Sequence, residues 1–170
     1  MRLPSLVAAL ALSLSPAAAA QSAGPSAPPT PAAVAAHYGA LVHAAYEDTL
    51  AAAKEMQAAI DAFLAAPSAD TLAAGRKSWL AARESYGQAE AFRFYGGRID
   101  DDKGPEGRIN AWPLDESYVD AVRGKPGSGL INDPKFRITK ADLGRANERG
   151  GEENVSTGWH AIEFLLWGQD

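Results

Sequence analysis

His160 and Glu163 stand three residues apart in the run Gly158-Trp159-His160-Ala161-Ile162-Glu163-Phe164-Leu165-Leu166-Trp167-Gly168. On a helix this spacing puts two Cβ atoms ~5–6 Å apart on one face. An imidazole nitrogen and a carboxylate oxygen can then meet one cation at ~2.0–2.2 Å each. Ferritin-like di-iron bundles use the reverse order, Glu-x-x-His, on the same geometric grounds. The spacing also serves plainer ends: the two side chains could bond each other, or Glu163 could hold a buried arginine such as Arg83. The rest of the run is almost wholly apolar, and a helix hydrophobic all round is buried. The sequence therefore predicts that His160 and Glu163 are buried. Zinc generally takes at least three protein ligands, so a third donor is required. Glu90 is the leading candidate, with Asp100, Asp115 and Glu116 behind it.

Glu90 leads because of the stripe on which it lies. Leu72, Arg76, Trp79, Arg83, Tyr86, Glu90 and Arg93 follow one another at steps of four and three. In a simple bundle such a stripe faces the partner helices and is apolar. Unpaired burial of these charges would cost several kcal/mol each. Two readings stand. The stripe is a solvated face with Glu90 paired to Arg83 or Arg93, or it lines a polar cavity between helices. In the second reading Arg83, Tyr86 and Trp79, with Asp115 from the loop, surround the ligands.

Other titratable residues carry less. His37 and His43 are six apart and fall on different faces of a helix, as surface or packing residues. Asp100-Asp101-Asp102 lacks the spaced acids of a calcium loop and reads as a solvated turn. Asn154-Val155-Ser156 is a formal glycosylation sequon and more simply a capping segment. The chain has no cysteine, which removes disulfides, thiolate ligands and cysteine catalysis. Any metal must be held by His and carboxylates, favouring zinc, iron, manganese or calcium over copper(I). The formal charge of −5 offers no basic stripe for nucleic acid. The His-Glu-x-x-His motif of common zinc peptidases is absent.

The elements that must position these groups are helical. Alanine dominates an apolar content of 46%, which favours helix. Residues 1–20 read as an export leader: Met1-Arg2, an apolar run too short to span a bilayer at ~20 residues, and Ala18-x-Ala20 for cleavage. No later stretch reads as a transmembrane helix. Residues 21–31 hold four prolines and read as a Pro/Ala-rich linker. Thr30-Pro31 opens a helix that runs to Pro67. A second helix begins near Ser68 to Asp70 and is predicted to reach Tyr95, where Gly96-Gly97 stops it. So short a link makes the two antiparallel neighbours. Residues 96–137 read as an ordered, packed loop, on the strength of Ile109, Trp112, Leu114 and Tyr118, with a short helix around Glu116 to Val122. Thr139-x-x-Asp142 caps a helix to about Arg149. Ser156 or Thr157 caps the last helix, which Gly168 ends.

With these blocks in place the chain resembles the imelysin family. The resemblance rests on the Gly-x-His-x-x-Glu segment Gly158–Gly168 and on Trp79, Arg83, Tyr86 and Glu90-Ala91-Phe92-Arg93-Phe94 with Ile99-Asp100. Ile109-Asn110-Ala111-Trp112-Pro113-Leu114-Asp115-Glu116 completes it. The matches run in family order across about residues 32–170. The resemblance implies an all-helical fold of two bundle-like halves, of which this chain is the first, continuing beyond residue 170. It implies an exported protein, in the periplasm or associated with the outer membrane. The family was classed as metallopeptidases after an insulin-cleaving member, while others are linked to iron. Its His-x-x-Glu carries over onto His160 and Glu163, and its second-helix Glu onto Glu90.

Three functions follow as expectations. The first is a protein that binds a divalent metal, zinc or iron, for uptake or homeostasis. The second is a zinc peptidase with Glu163 or Glu90 as general base. The third is an envelope scaffold without metal that holds a peptide, polysaccharide or other partner.

Overall fold

The computed structural model describes residues 28–168. The expected leader, and the linker up to residue 27, lie outside the described residues. The fold is an all-α bundle. Among the described residues there is no β-strand, and an isolated bridge pairs Val122 with Lys125. None of these helices is long and apolar enough to cross a membrane.

Helix α1, Pro31–Ala65, starts where Thr30 Oγ1 accepts the N–H of Ala33 at 3.2 Å. It is roughly 50 Å long at 1.5 Å per residue. Pro67 stops it, since the residue before a proline is pushed out of helical backbone. Ser68 opens α2, Ala69–Ala89, through reciprocal bonds with Thr71. The link Ala66–Ser68 makes α1 and α2 an antiparallel pair, the main helix contact of the fold. Thr49 fastens it by donating to Ser85 O at 3.2 Å. The residues that α2 buries are Gly75, Trp79, Ala82, Tyr86 and Ala89, at steps of four and three. The small ones let a neighbour approach closely, and the two rings fill the core with Met56, Trp159 and Leu166.

Helix α2 stops short of the expected Tyr95. A 3-10 turn, Glu90–Phe92, follows it, Arg93 is extended, and Phe94 has φ +70°. The breaker is tertiary, not the glycine pair. Asp100 takes the N–H groups of Phe94 and Gly97 on its carboxylate, and Arg93 is held by Glu106, Glu90 and Tyr86. The short helices α3, Glu106–Ile109, and α4, Glu116–Val119, lie in the following segment. The latter ends before Val122 because Asp120 is extended and its carboxylate takes the amide of Asn132. Thr139 caps α5, Lys140–Ala146, with Asp142 as expected. It ends before Arg149 because Asn147 leaves helical backbone and Glu148 has φ +57°.

Asn147 is then free to organise the approach to α6, Gly158–Trp167. Its amide donates to Gly107 O at 2.6 Å, and its oxygen accepts the N–H of Ser156 at 3.0 Å and of Thr157 at 3.3 Å. The Ser156 hydroxyl goes to Leu143 O, and that of Thr157 to Arg108 O. Thr157 holds the N-cap position without capping through its side chain. Gly168 ends the helix at φ +66°.

Gly158 is fixed by close approach. Its φ is +88°, and a Cβ there would stand 2.4 Å from the Ile109 carbonyl oxygen. Gly158→Ala would meet both a left-handed backbone and rigid main chain. We expect it to lower unfolding stability by ~2 kcal/mol or more, read as a lower urea midpoint at unchanged slope.

Candidate metal centre and the polar seam

The charged stripe of α2 faces inward, between α6 and the loop. Trp79 and Tyr86 are buried. The Trp79 indole donates to Trp159 O at 3.1 Å, and Arg76 Nε donates to Leu166 O at 2.7 Å. Both bonds go to the main chain of α6, the second to a carbonyl in its last turn, where the helix has no N–H left to offer. Arg83 lies over the rings of Trp79, Tyr86 and Trp159 at 5.9, 5.1 and 5.6 Å. Its Nη1 donates to Asn110 Oδ1 at 3.0 Å. The Asn110 amide in turn donates to Glu90 Oε1 at 2.9 Å. Glu90 stands 3.6 Å from Arg93, which also binds Glu106 and donates to the Tyr86 hydroxyl at 3.3 Å.

The seam is thus a paired network of alternating charge. Asn110, which the sequence did not single out, joins its two ends. Burial pushes the Tyr86 hydroxyl up from its ordinary value near 10 to about 12, with Glu90 and Glu106 adding to the rise and Arg93 and Arg83 opposing it.

His160 and Glu163 are neighbours on α6. His160 Nδ1 is 3.3 Å from Glu163 Oε2. The His160 side chain is 18% exposed, but that of Glu163 is 44% exposed. The expected full burial of the pair is therefore corrected. Helix α6 buries Trp159, Ala161, Phe164 and Leu166, while Leu165 points outward. The pair borders a cavity of about 460 Å³ together with Trp79, Trp112, Glu116, Phe164 and Trp167. The Trp112 ring packs against the imidazole with centroids 4.7 Å apart. Trp112 follows as a second correction, since it is 69% exposed where the sequence reading packed it away.

The 3.3 Å separation is long for an N–H···O bond. It is close to the edge of a tetrahedral coordination sphere, ~3.3 Å for ligand bonds of ~2.0–2.1 Å. The separation is thus the one that two adjacent ligands of a tetrahedral ion would have. Glu163 on Nδ1 leaves Nε2 as the ring nitrogen that would face a metal, as in carboxylate–imidazole support.

Glu90 is not brought to this pair. It borders a separate cavity of about 370 Å³ with Tyr46, Met56, Tyr86 and Arg93, and its carboxylate serves Asn110 and Arg93. Among the described residues no three His, Asp or Glu side chains gather as a metal cluster, so the set His160, Glu163 and Glu90 is not assembled. Of the loop acids, Glu116 reaches the cavity of the pair. Asp115 is the N-cap of α4 and takes the N–H and hydroxyl of Ser117. Asp100 is the turn clamp described above. Trp79 borders the pair's cavity, whereas Arg83 and Tyr86 belong to the seam. His37 is exposed, and exposed His43 pairs with Glu47 at 3.1 Å.

The family model described as Imelysin matches residues 42–170. Iron-regulated protein A of Synechococcus elongatus is 27% identical over 122 residues, covering 72% of this chain and 27% of that protein. The chain thus spans about a quarter of that relative's length.

The raised Tyr86 hydroxyl has a consequence for stability. The folded state keeps the proton that the unfolded chain loses near pH 10. Its contribution is complete below about pH 10 and is lost as pH rises to about 12. Melting temperature followed from pH 9 to 12 should fall through this window. Tyr86→Phe, which has nothing to ionise there, should fall less steeply.

Proposed function

The chain belongs to the imelysin family, and from that premise we propose that it is an exported protein that binds a divalent metal through His160 and Glu163 for metal uptake or homeostasis. The observation that carries this reading is the 3.3 Å spacing of His160 Nδ1 and Glu163 Oε2, which fits adjacent ligands of one ion. A single imidazole with carboxylate suits zinc or iron. The likeness to a protein named for its regulation by iron favours iron. Two protein donors leave coordination positions for water or cargo, which suits an ion that is taken up and handed on better than a permanent structural one. When bound, the metal supplies positive charge and open coordination positions. His160 donates a ring nitrogen, Glu163 a carboxylate oxygen, and Trp112 shields the imidazole from water on one side.

Export rests on the leader-like residues 1–20, and attachment to the periplasm or outer membrane rests on the family. In the peptidase reading the metal would activate a water, with Glu163 moving from ligand to general base. Glu90, in its separate cavity, cannot take that role without rearrangement.

Titration of the full-length protein with zinc or iron(II), followed by calorimetry, tests the proposal. His160→Ala and Glu163→Gln should each weaken binding at least tenfold, while Glu90→Gln should leave it within about twofold. Undiminished binding by both site variants would end the reading. Hydrolysis of a peptide by the zinc-loaded protein, lost in His160→Ala, would move it to the peptidase alternative.

A further inference from the structure

We propose that the cavity beside His160 is also a recognition site for an organic ammonium ion, such as a trimethylalkylammonium group. This uses the walls of the cavity that His160 and Glu163 border, and its test is made without metal.

The case begins with what lines the space. Trp79, Trp112, Phe164 and Trp167 supply aromatic walls, and Glu116 and Glu163 supply the acids. Among the described residues no lysine or arginine lines the cavity. An aromatic face is the negative pole of the ring quadrupole, and it attracts a cation within about 6 Å of its centroid. Carboxylates add a longer-range attraction of the same sign. A ring-lined and acid-edged pocket without basic residues selects against anions. It also favours a bulky, weakly hydrated cation over a small, strongly hydrated one, because the former loses little on leaving water.

The protein already uses these rings in this way within its own fold. Arg76 lies over Trp167 at 5.6 Å and Arg83 over Trp79 at 5.9 Å. The aromatic cluster at the junction of α2 and α6 thus holds cations within the fold, and Trp79 and Trp167 also border the cavity. The volume of about 460 Å³ lies in the range of small-molecule sites. Trp112 is the distinctive element. A tryptophan 69% exposed contributes little to the core, yet its ring is held in place against His160 at 4.7 Å. That placement makes it an accessible wall of the site.

The decisive comparison uses choline and its uncharged isostere 3,3-dimethylbutan-1-ol, which match in shape and differ in charge. Each is titrated by calorimetry into full-length protein kept metal-free with a chelator, so that a failure of metal binding cannot affect the result. Choline should bind at least tenfold more tightly than the alcohol. Trp112→Ala should weaken choline at least tenfold with an unchanged melting temperature, and Trp112→Phe should restore most of the affinity. Equal binding of the two compounds would reduce the cavity to an apolar one and overturn the proposal. So would the absence of choline binding at millimolar concentration, or choline affinity unaltered in Trp112→Ala.

Discussion

A guanidinium inside a helical bundle must be given partners, and much of this molecule follows from how Arg83 is given its own. Removal of the charge from water costs several kcal/mol unless ring faces, hydrogen bonds and opposite charge replace the lost hydration. Helix α2 offers Trp79 and Tyr86 one turn either side of Arg83. Helix α6 brings Trp159, and the loop brings Asn110. Three segments distant in sequence are thereby required at one point. The requirement then propagates. Asn110 accepts from Arg83 and donates to Glu90, so it couples the two charges without their touching. Glu90 and Glu106 stand against Arg93, and the four charges alternate in sign and cancel. A seam balanced in this way tolerates low dielectric, and deletion of one member leaves another unpaired.

The seam also fixes the height and rotation of α6. Trp79 holds the carbonyl of Trp159 near its start, and Arg76 holds that of Leu166 near its end. Gly158 presses its first turn onto the backbone of α3. A ten-residue helix pinned at both ends has little freedom to roll. The face carrying His160 and Glu163 is accordingly turned toward the edge of the bundle, between the buried side of the helix and solvent. What reads in sequence as a uniformly greasy helix with two polar interruptions is in space a helix wet on two sides, with partly exposed Glu163 on one and Leu165 on the other.

Sequence patterns resolved the parts of the fold that depend on local chemistry. Thr30 with Pro31, Ser68, Thr139 with Asp142, and Gly168 mark helix ends where bonds form within a few residues. The end of α2 was read at Gly96-Gly97 because glycine is a local signal, whereas the breakers are Asp100 and Glu106, reached only after the chain folds back. Periodicity identified the inward stripe of α2 but not the height of each residue on it. Glu90 lies eleven residues beyond Trp79, roughly 16 Å further along the axis at 1.5 Å per residue. His160 meets the stripe near Trp79, so Glu90 falls beside a different cavity. Asn110 escaped notice for another reason: a neutral amide in an irregular segment has no period and no charge to balance, and its role exists only between Arg83 and Glu90.

The same geometry explains why the pair on α6 stands apart from the acids of the seam. His160 Nδ1 and Glu163 Oε2 face one another at 3.3 Å, so the two side chains orient each other. Trp112 covers the imidazole of His160, while the partly exposed Glu163 keeps a route to solvent. Glu90 stays away from the pair because its carboxylate serves Asn110 and Arg93 in the seam. The network that orients α6 therefore also keeps Glu90 away from its polar pair.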